Sequence, residues 1–247
     1  MNYLILGASS GLGRDLAYIF AKNSHNLVLL SRDERDLKSL KLDLENKFQT
    51  KIDIHQIDAS SKDNVNNFLN ANDRLFHDLD GILFPIGMMV NNDNIKNDNE
   101  TTNKLIQANY LSIVDFTIKV IKIFEKKNKG VIVGFGSVSA SLGREVNTFY
   151  SASKRALESF FESLSATFLK DNIKIQFYIL GYLDTNLTFD KNLILPKAST
   201  KKLATKVYQN INKDNLKKYY PFWWGLICLI IKLMPFFILK KITKFIN

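Results

Sequence analysis

Gly7-Ala8-Ser9-Ser10-Gly11-Leu12-Gly13 directly follows an apolar run, Tyr3-Leu4-Ile5-Leu6, and leads into an amphipathic stretch that continues to Lys22. Read as strand, turn and helix, this segment decides the fold. Gly7 permits the tight turn, Gly11 lets a bound phosphate approach the backbone, and Gly13 allows the helix to pack closely on the strand. The first N–H groups of the helix have no partners of their own, so its positive end is an anion site formed with Ser9, Ser10 and Leu12.

Outward from this turn the chain alternates apolar runs with helical periodicity. Strands are expected at 2–6, 26–31, 51–57, 81–84, 130–135 and 173–179, and helices at 11–22, 34–48, 62–71, 100–126 and 148–170. Continuous apolar strands such as Val131-Ile132-Val133 fit burial on both faces. The pattern implies an α/β fold: a doubly wound parallel sheet flanked by helices, with ligands at the carboxyl ends of its strands. The polar segment 91–99 reads as a surface loop with no function of its own.

A second motif is Tyr150-Ser151-Ala152-Ser153-Lys154. Tyr150 and Lys154 are four residues apart and share one face of a helix, where an ammonium lowers a phenol's pKa and readies it for proton exchange near neutral pH. Ser137 lies thirteen residues earlier at the end of a strand, and Asn109 lies in Ala108-Asn109-Tyr110.

The G-x-x-x-G-x-G spacing, Ser137, Tyr150-x-x-x-Lys154 and Asn109, in this order, resemble the short-chain dehydrogenase/reductase superfamily over residues 1 to about 190. The resemblance implies a Rossmann fold, a nicotinamide cofactor and hydride transfer at a carbonyl carbon. It assigns Tyr150 as general acid or base, Ser137 as donor to the carbonyl oxygen, Lys154 as partner of the nicotinamide ribose, and Asn109 as holder of a proton-relay water. It also implies Asp58 at the adenine, with helix capping as the alternative, Thr185 at the carboxamide, and Ala59, Gly87, Gly181 and Leu183 among the cofactor contacts.

The second strand ends in Ser31-Arg32, where NAD-preferring relatives carry an acid. A guanidinium suits a 2′-phosphate, so NADP(H) is expected over NAD(H); pairing of Arg32 with Asp33 or Asp36 is the alternative. Leu6, Phe84-Pro85-Ile86-Gly87 and Leu180-Gly181 depart from the family's usual residues at their positions. His25, His55 and His77 are scattered without ligand spacing, and no metal is expected.

Of the 247 residues, 46% are apolar, and the formal charge is +10. Eleven lysines and one acid, Asp214, lie after Pro196, so residues 1–196 carry no net charge. The expected organisation is a cofactor-binding domain at 1–196 and a basic, aromatic tail at 197–247. Lysines beside Trp223, Trp224 and a long apolar run suit an anionic membrane surface better than nucleic acid. Lys232 and Pro235 interrupt that run, which argues for a helix lying in the interface rather than spanning the bilayer; packing as a lid or dimer contact is the alternative. A single cysteine, Cys228, and a strand pattern from the first residues point to the cytoplasm, at the inner face of the membrane. A homo-oligomer is expected. The tail and the sequence Phe84-Pro85-Ile86-Gly87-Met88 also resemble the decaprenylphosphoryl-2-keto-ribose reductases, which implies a keto-sugar on a polyprenyl phosphate. Reduction of a lipid ketone, such as a 3-ketoacyl or sphingoid species, and a non-catalytic cofactor-binding scaffold are the competing readings. The intact catalytic set weighs against the scaffold.

Overall fold

A computed structural model describes residues 1–90, 93–96, 98–185, 195–235 and 237–241. Among these, seven strands form one sheet: β1 (Asn2–Leu6), β2 (Asn26–Ser31), β3 (Ile52–Gln56), β4 (Gly81–Phe84), β5 (Gly130–Ser137), β6 (Ile173–Leu180) and β7 (Leu216–Tyr220). Their order is β3-β2-β1-β4-β5-β6-β7, and every pairing is parallel. The expected α/β fold is present. Chain direction across the sheet reverses between β1 and β4, which opens a crevice at their carboxyl ends.

The strands are apolar on both faces because both are covered. Tyr3 and Ile5 of β1 join one core with helices α1 (Gly11–Lys22) and α2 (Glu34–Phe48). Leu4 and Leu6 join the other, with α3 (Lys62–Ala71), α4 (Asp73–His77), α6 (Ser112–Lys127) and α7 (Thr148–Thr167). The period-two alternation of a strand thus feeds two separate cores.

Three features differ from expectation. The sheet has a seventh strand, β7, and a preceding helix, α8 (Thr200–Asn210), both beyond the charge boundary at Pro196. Lysines on an edge strand deter further pairing, and Lys217 of β7 pairs with Glu158 at 2.8 Å; its charge reflects its edge position. The single helix expected over 100–126 is broken into α5 (Asn99–Ile106), a π-turn (Gln107–Leu111) and α6. Finally, Asp93 is only 2% exposed, so at least this residue of the polar segment is an interior group. Asn91, Asn92 and Asn97 of that segment lie outside the described residues.

Candidate active site

The glycine turn has the expected local geometry. Gly7 (φ 95°) and Gly11 (φ 50°) occupy left-handed backbone, and a Cβ on Gly13 would stand 1.9 Å from the Gly7 carbonyl oxygen. The Gly7 N–H donates to Leu30 O at 2.8 Å, which fixes the turn against β2. Ser10 precedes α1 without capping it through its side chain, and Leu12 is buried beneath. Thr185 lies over the turn, its Cγ2 3.2 Å from where a Gly11 Cβ would be, and Ile86, next to Gly87, closes on Gly7. Ser9 Oγ meets Ser31 Oγ at 2.7 Å across the crevice. A turn with two left-handed glycines, leading into a helix end without a side-chain cap, fits the phosphates of a dinucleotide.

Next to this cradle, β5 delivers Ser137 from its last residue and α7 delivers Tyr150 and Lys154 from its first two turns. Ser137 stands beside the Tyr150 phenol and favours the ionised form, but desolvation outweighs it and raises the phenol's pKa. This overturns the expectation that Lys154 lowers the phenol's pKa. Lys154 is 3% exposed, and its Nζ donates to Ile86 O and Phe135 O, both at 3.2 Å. Burial lowers its own pKa to about 8. Asn109 is fully buried in the π-turn, an irregularity often found at functional sites. Its amide is engaged with the Met88 backbone, so it holds the loop that presents Ile86 O to Lys154.

The short chain dehydrogenase family model matches residues 2–193. The chain belongs to this family. A short-chain dehydrogenase from Sphingobium yanoikuyae, solved in complex with NADPH, superposes with a TM-score of 0.81 at 22% identity, covering 89% of this chain and 87% of that one. A very-long-chain 3-oxoacyl-CoA reductase of Vanderwaltozyma polyspora is 28% identical over 202 residues, 75% of this chain and 56% of the relative. An NADP-dependent 3-hydroxy acid dehydrogenase of Schizosaccharomyces pombe is 26% identical over 209 residues, 84% of this chain and 79% of the relative. The aligned region thus spans a little over half of the first of these relatives.

In this short-chain dehydrogenase the end of β2 presents Arg32, exposed and without an ion pair among the described residues. Asp33 is occupied in capping α2, accepting from Asp36 N at 3.0 Å, so the alternative pairing is not formed. Asp58, just after β3, accepts from Ser60 N (2.9 Å) and Ser60 Oγ (2.7 Å) beside buried Ala59.

The helix α9 (Trp224–Leu233) packs against β7 and the 3₁₀ turn that follows Ser137. Gly181 follows β6, its N–H donating to Tyr220 O at 2.8 Å, and a Cβ there would stand 1.9 Å from Trp224 Nε1. Trp224 stacks on Trp223 (5.0 Å) and meets Tyr182 edge-on (5.4 Å), while buried Leu183 bridges to Ala198. Cys228, one turn on, is also buried and lies beside Ser141, which ends the 3₁₀ turn after Ser137. The tail's second tryptophan is therefore spent inside the protein. That correction follows from a contact across more than forty residues, which the sequence does not display; Phe236 lies outside the described residues.

Proposed function

We propose that the chain is an NADP(H)-dependent reductase of a carbonyl group borne on a lipid, acting at the cytoplasmic face of a membrane. One juxtaposition carries this reading: Ser137, Tyr150 and Lys154 lie beside the glycine cradle, and the helix packed on the turn after Ser137 is apolar on its outer face. Bound nicotinamide supplies the hydride. Tyr150, a phenol and so protonated at neutral pH, is set to give a proton to the carbonyl oxygen in reduction. Ser137 donates a hydrogen bond to the same oxygen as charge develops there. Lys154 places positive charge one helical turn from the phenolate left behind and holds the ribose hydroxyls. Arg32 takes the 2′-phosphate, a choice supported by the NADPH complex and the NADP-dependent relative named above.

The membrane part of the proposal rests on α9. Phe222, Leu226, Leu229, Ile230 and Leu233 are 47–80% exposed along one side, opposite Trp224 and Cys228, with Lys232, Lys240 and Lys241 nearby. No helix among the described residues is long and apolar enough to cross a membrane. A helix lying in the interface of an anionic bilayer would cover the apolar side and set Lys232 and Lys241 near the headgroups. A 3-oxoacyl thioester is the favoured carbonyl, since two of the relatives act on 3-oxoacyl or 3-hydroxy acids by name. A keto-sugar on a polyprenyl phosphate is the second reading, carried by the likeness of the tail. Purified protein assayed with NADPH against short-chain and long-chain 3-oxoacyl-CoA and a polyprenyl keto-sugar separates them. We expect lipid-borne carbonyls to be preferred, and Tyr150→Phe to lose turnover by about a thousandfold while still binding NADPH. Near-normal turnover in that variant would sink the reading of the site, and equal turnover of short chains would sink the lipid.

A further inference from the structure

Helix α7 starts without a local cap. Asn147, the residue before it, is left-handed (φ 65°), and its side chain makes no capping hydrogen bond. The first N–H to find a partner within the chain turn itself is Ser151, which donates to Asn147 O at 2.9 Å. The amides of Thr148, Phe149 and Tyr150 must be satisfied from elsewhere. All three are taken by Asp93. Its main-chain oxygen accepts from Thr148 (3.1 Å), Oδ1 from Phe149 (3.0 Å) and Oδ2 from Tyr150 (2.7 Å). Burying a carboxylate is costly, and here two charge-assisted bonds and the positive end of a twenty-residue helix offset that cost.

The stretch of chain that ends at Asp93 begins at the other functional side chains. Ile86 O accepts from Lys154, and the Met88 backbone meets Asn109. One short run of chain after β4 is therefore tied to Lys154, to Asn109 and to the backbone of Tyr150 itself. In the interior of a helix a residue's amide is fixed by the carbonyl one turn earlier. Tyr150 is the third residue of its helix and has no such carbonyl, so its amide is held by Asp93 alone.

We infer that Asp93 is a positioning residue for Tyr150. By capping α7 from a residue distant in sequence it sets the depth and angle of the phenol against Ser137. This rests on Tyr150 being the proton donor proposed above. Misplacement of a reacting group by about 1 Å is enough to lower turnover roughly a hundredfold without altering ligand binding.

Asp93→Ala and Asp93→Asn, made in the full chain beside Tyr150→Phe, test it. Three readings are taken: NADPH affinity, steady-state reduction of a long-chain 3-oxoacyl-CoA, and hydrogen exchange of the peptide covering 148–156. Asp93→Ala should keep its NADPH Kd and substrate KM within about threefold and lose kcat by roughly a hundredfold, whereas Asp93→Asn, with one acceptor left, should recover about tenfold of it. The Phe149 and Tyr150 amides should exchange at least about tenfold faster while the rest of α7 stays protected. Wild-type kcat in folded Asp93→Ala, or unchanged exchange at those two amides, overturns the inference. So does a fall in NADPH affinity that matches the fall in kcat, which marks collapse of the cradle instead. Should Asp93→Ala not fold, Asp93→Asn is judged on the same readings. Full turnover in Tyr150→Phe defeats the reading of the site, and the exchange data then judge Asp93 alone, as they do if the wild type leaves the probe untouched.

Discussion

Asn109 and Met88 bond in both directions: the Met88 N–H donates to Oδ1 at 2.7 Å, and Nδ2 donates to the Met88 carbonyl at 2.8 Å. The side-chain amide answers both a donor and an acceptor on one backbone residue, which a carboxylate, having acceptors alone, does not. Asn109→Asp sets a carboxylate oxygen against the Met88 carbonyl in a fully buried place, at a cost of roughly 2–4 kcal/mol. Calorimetry should show Tm lower by roughly 5–10 °C. An unchanged melting curve would mean that the loop after β4 is held by other contacts.

Arg32 decides between the two nicotinamide cofactors. Arg32→Asp exchanges a partner for the 2′-phosphate for a group that repels it and accepts bonds from a free ribose diol. The ratio of NADPH to NADH affinity should fall by about a hundredfold or more in fluorescence titrations. Wild-type protein that already prefers NADH contradicts the assignment.

The buried Lys154 sets a pH dependence. Its pKa in the fold is about 8, against 10.4 or so in an unfolded chain. Between those values the unfolded chain binds more protons, so stability rises with pH across that window. Below pH 8 the buried ammonium costs a constant amount, on the order of 3 kcal/mol. Lys154→Met should therefore melt above the wild type at pH 7, the gap closing towards pH 10, while turnover is lost. Tyr3 and Tyr178 act in the opposite sense, because burial raises both to about 12. Both proteins should lose stability as pH climbs from 10 to 12. A variant less stable than the wild type at pH 7 would show that the Lys154 hydrogen bonds outweigh its desolvation.

The outer side of α9 should bind lipid. Leu226→Glu with Ile230→Glu should cut co-sedimentation with anionic vesicles about tenfold or more, without altering folding or NADPH affinity, because both side chains already face solvent. Salt should weaken wild-type binding by screening the lysines and leave an apolar remainder. Wild-type protein that stays in the supernatant at low salt rules the membrane out; a dimer lost in the double variant would assign that side to a second copy of the chain.

What the sequence displayed was local. The glycine turn and the Tyr150–Lys154 pair sit at spacings set by one turn or one helical period, and these positions appear in the structure where the spacing puts them. The strand runs were legible because burial on both faces leaves a continuous apolar stretch. Less visible was β7, whose Leu216-Lys217-Lys218-Tyr219-Tyr220 carries the charge of an edge. The π-turn around Asn109 hides inside uninterrupted helical periodicity. Asp93 was illegible because the helix it caps lies more than fifty residues on, and nothing in an Asn/Asp-rich loop marks one member as interior. The direction of the Tyr150 shift depended on burial, which no spacing reports.

Gly181 and Trp224 also impose an order on the making of the molecule. A growing chain carries the glycine turn, Ser137, Tyr150 and Lys154 long before it reaches residue 224, and until then Gly181 is bare. The wall against Ser141 and Gly181 comes last, with β7 and the indole that covers the glycine. Until that indole arrives, the side of the crevice at Gly181 stands open to water.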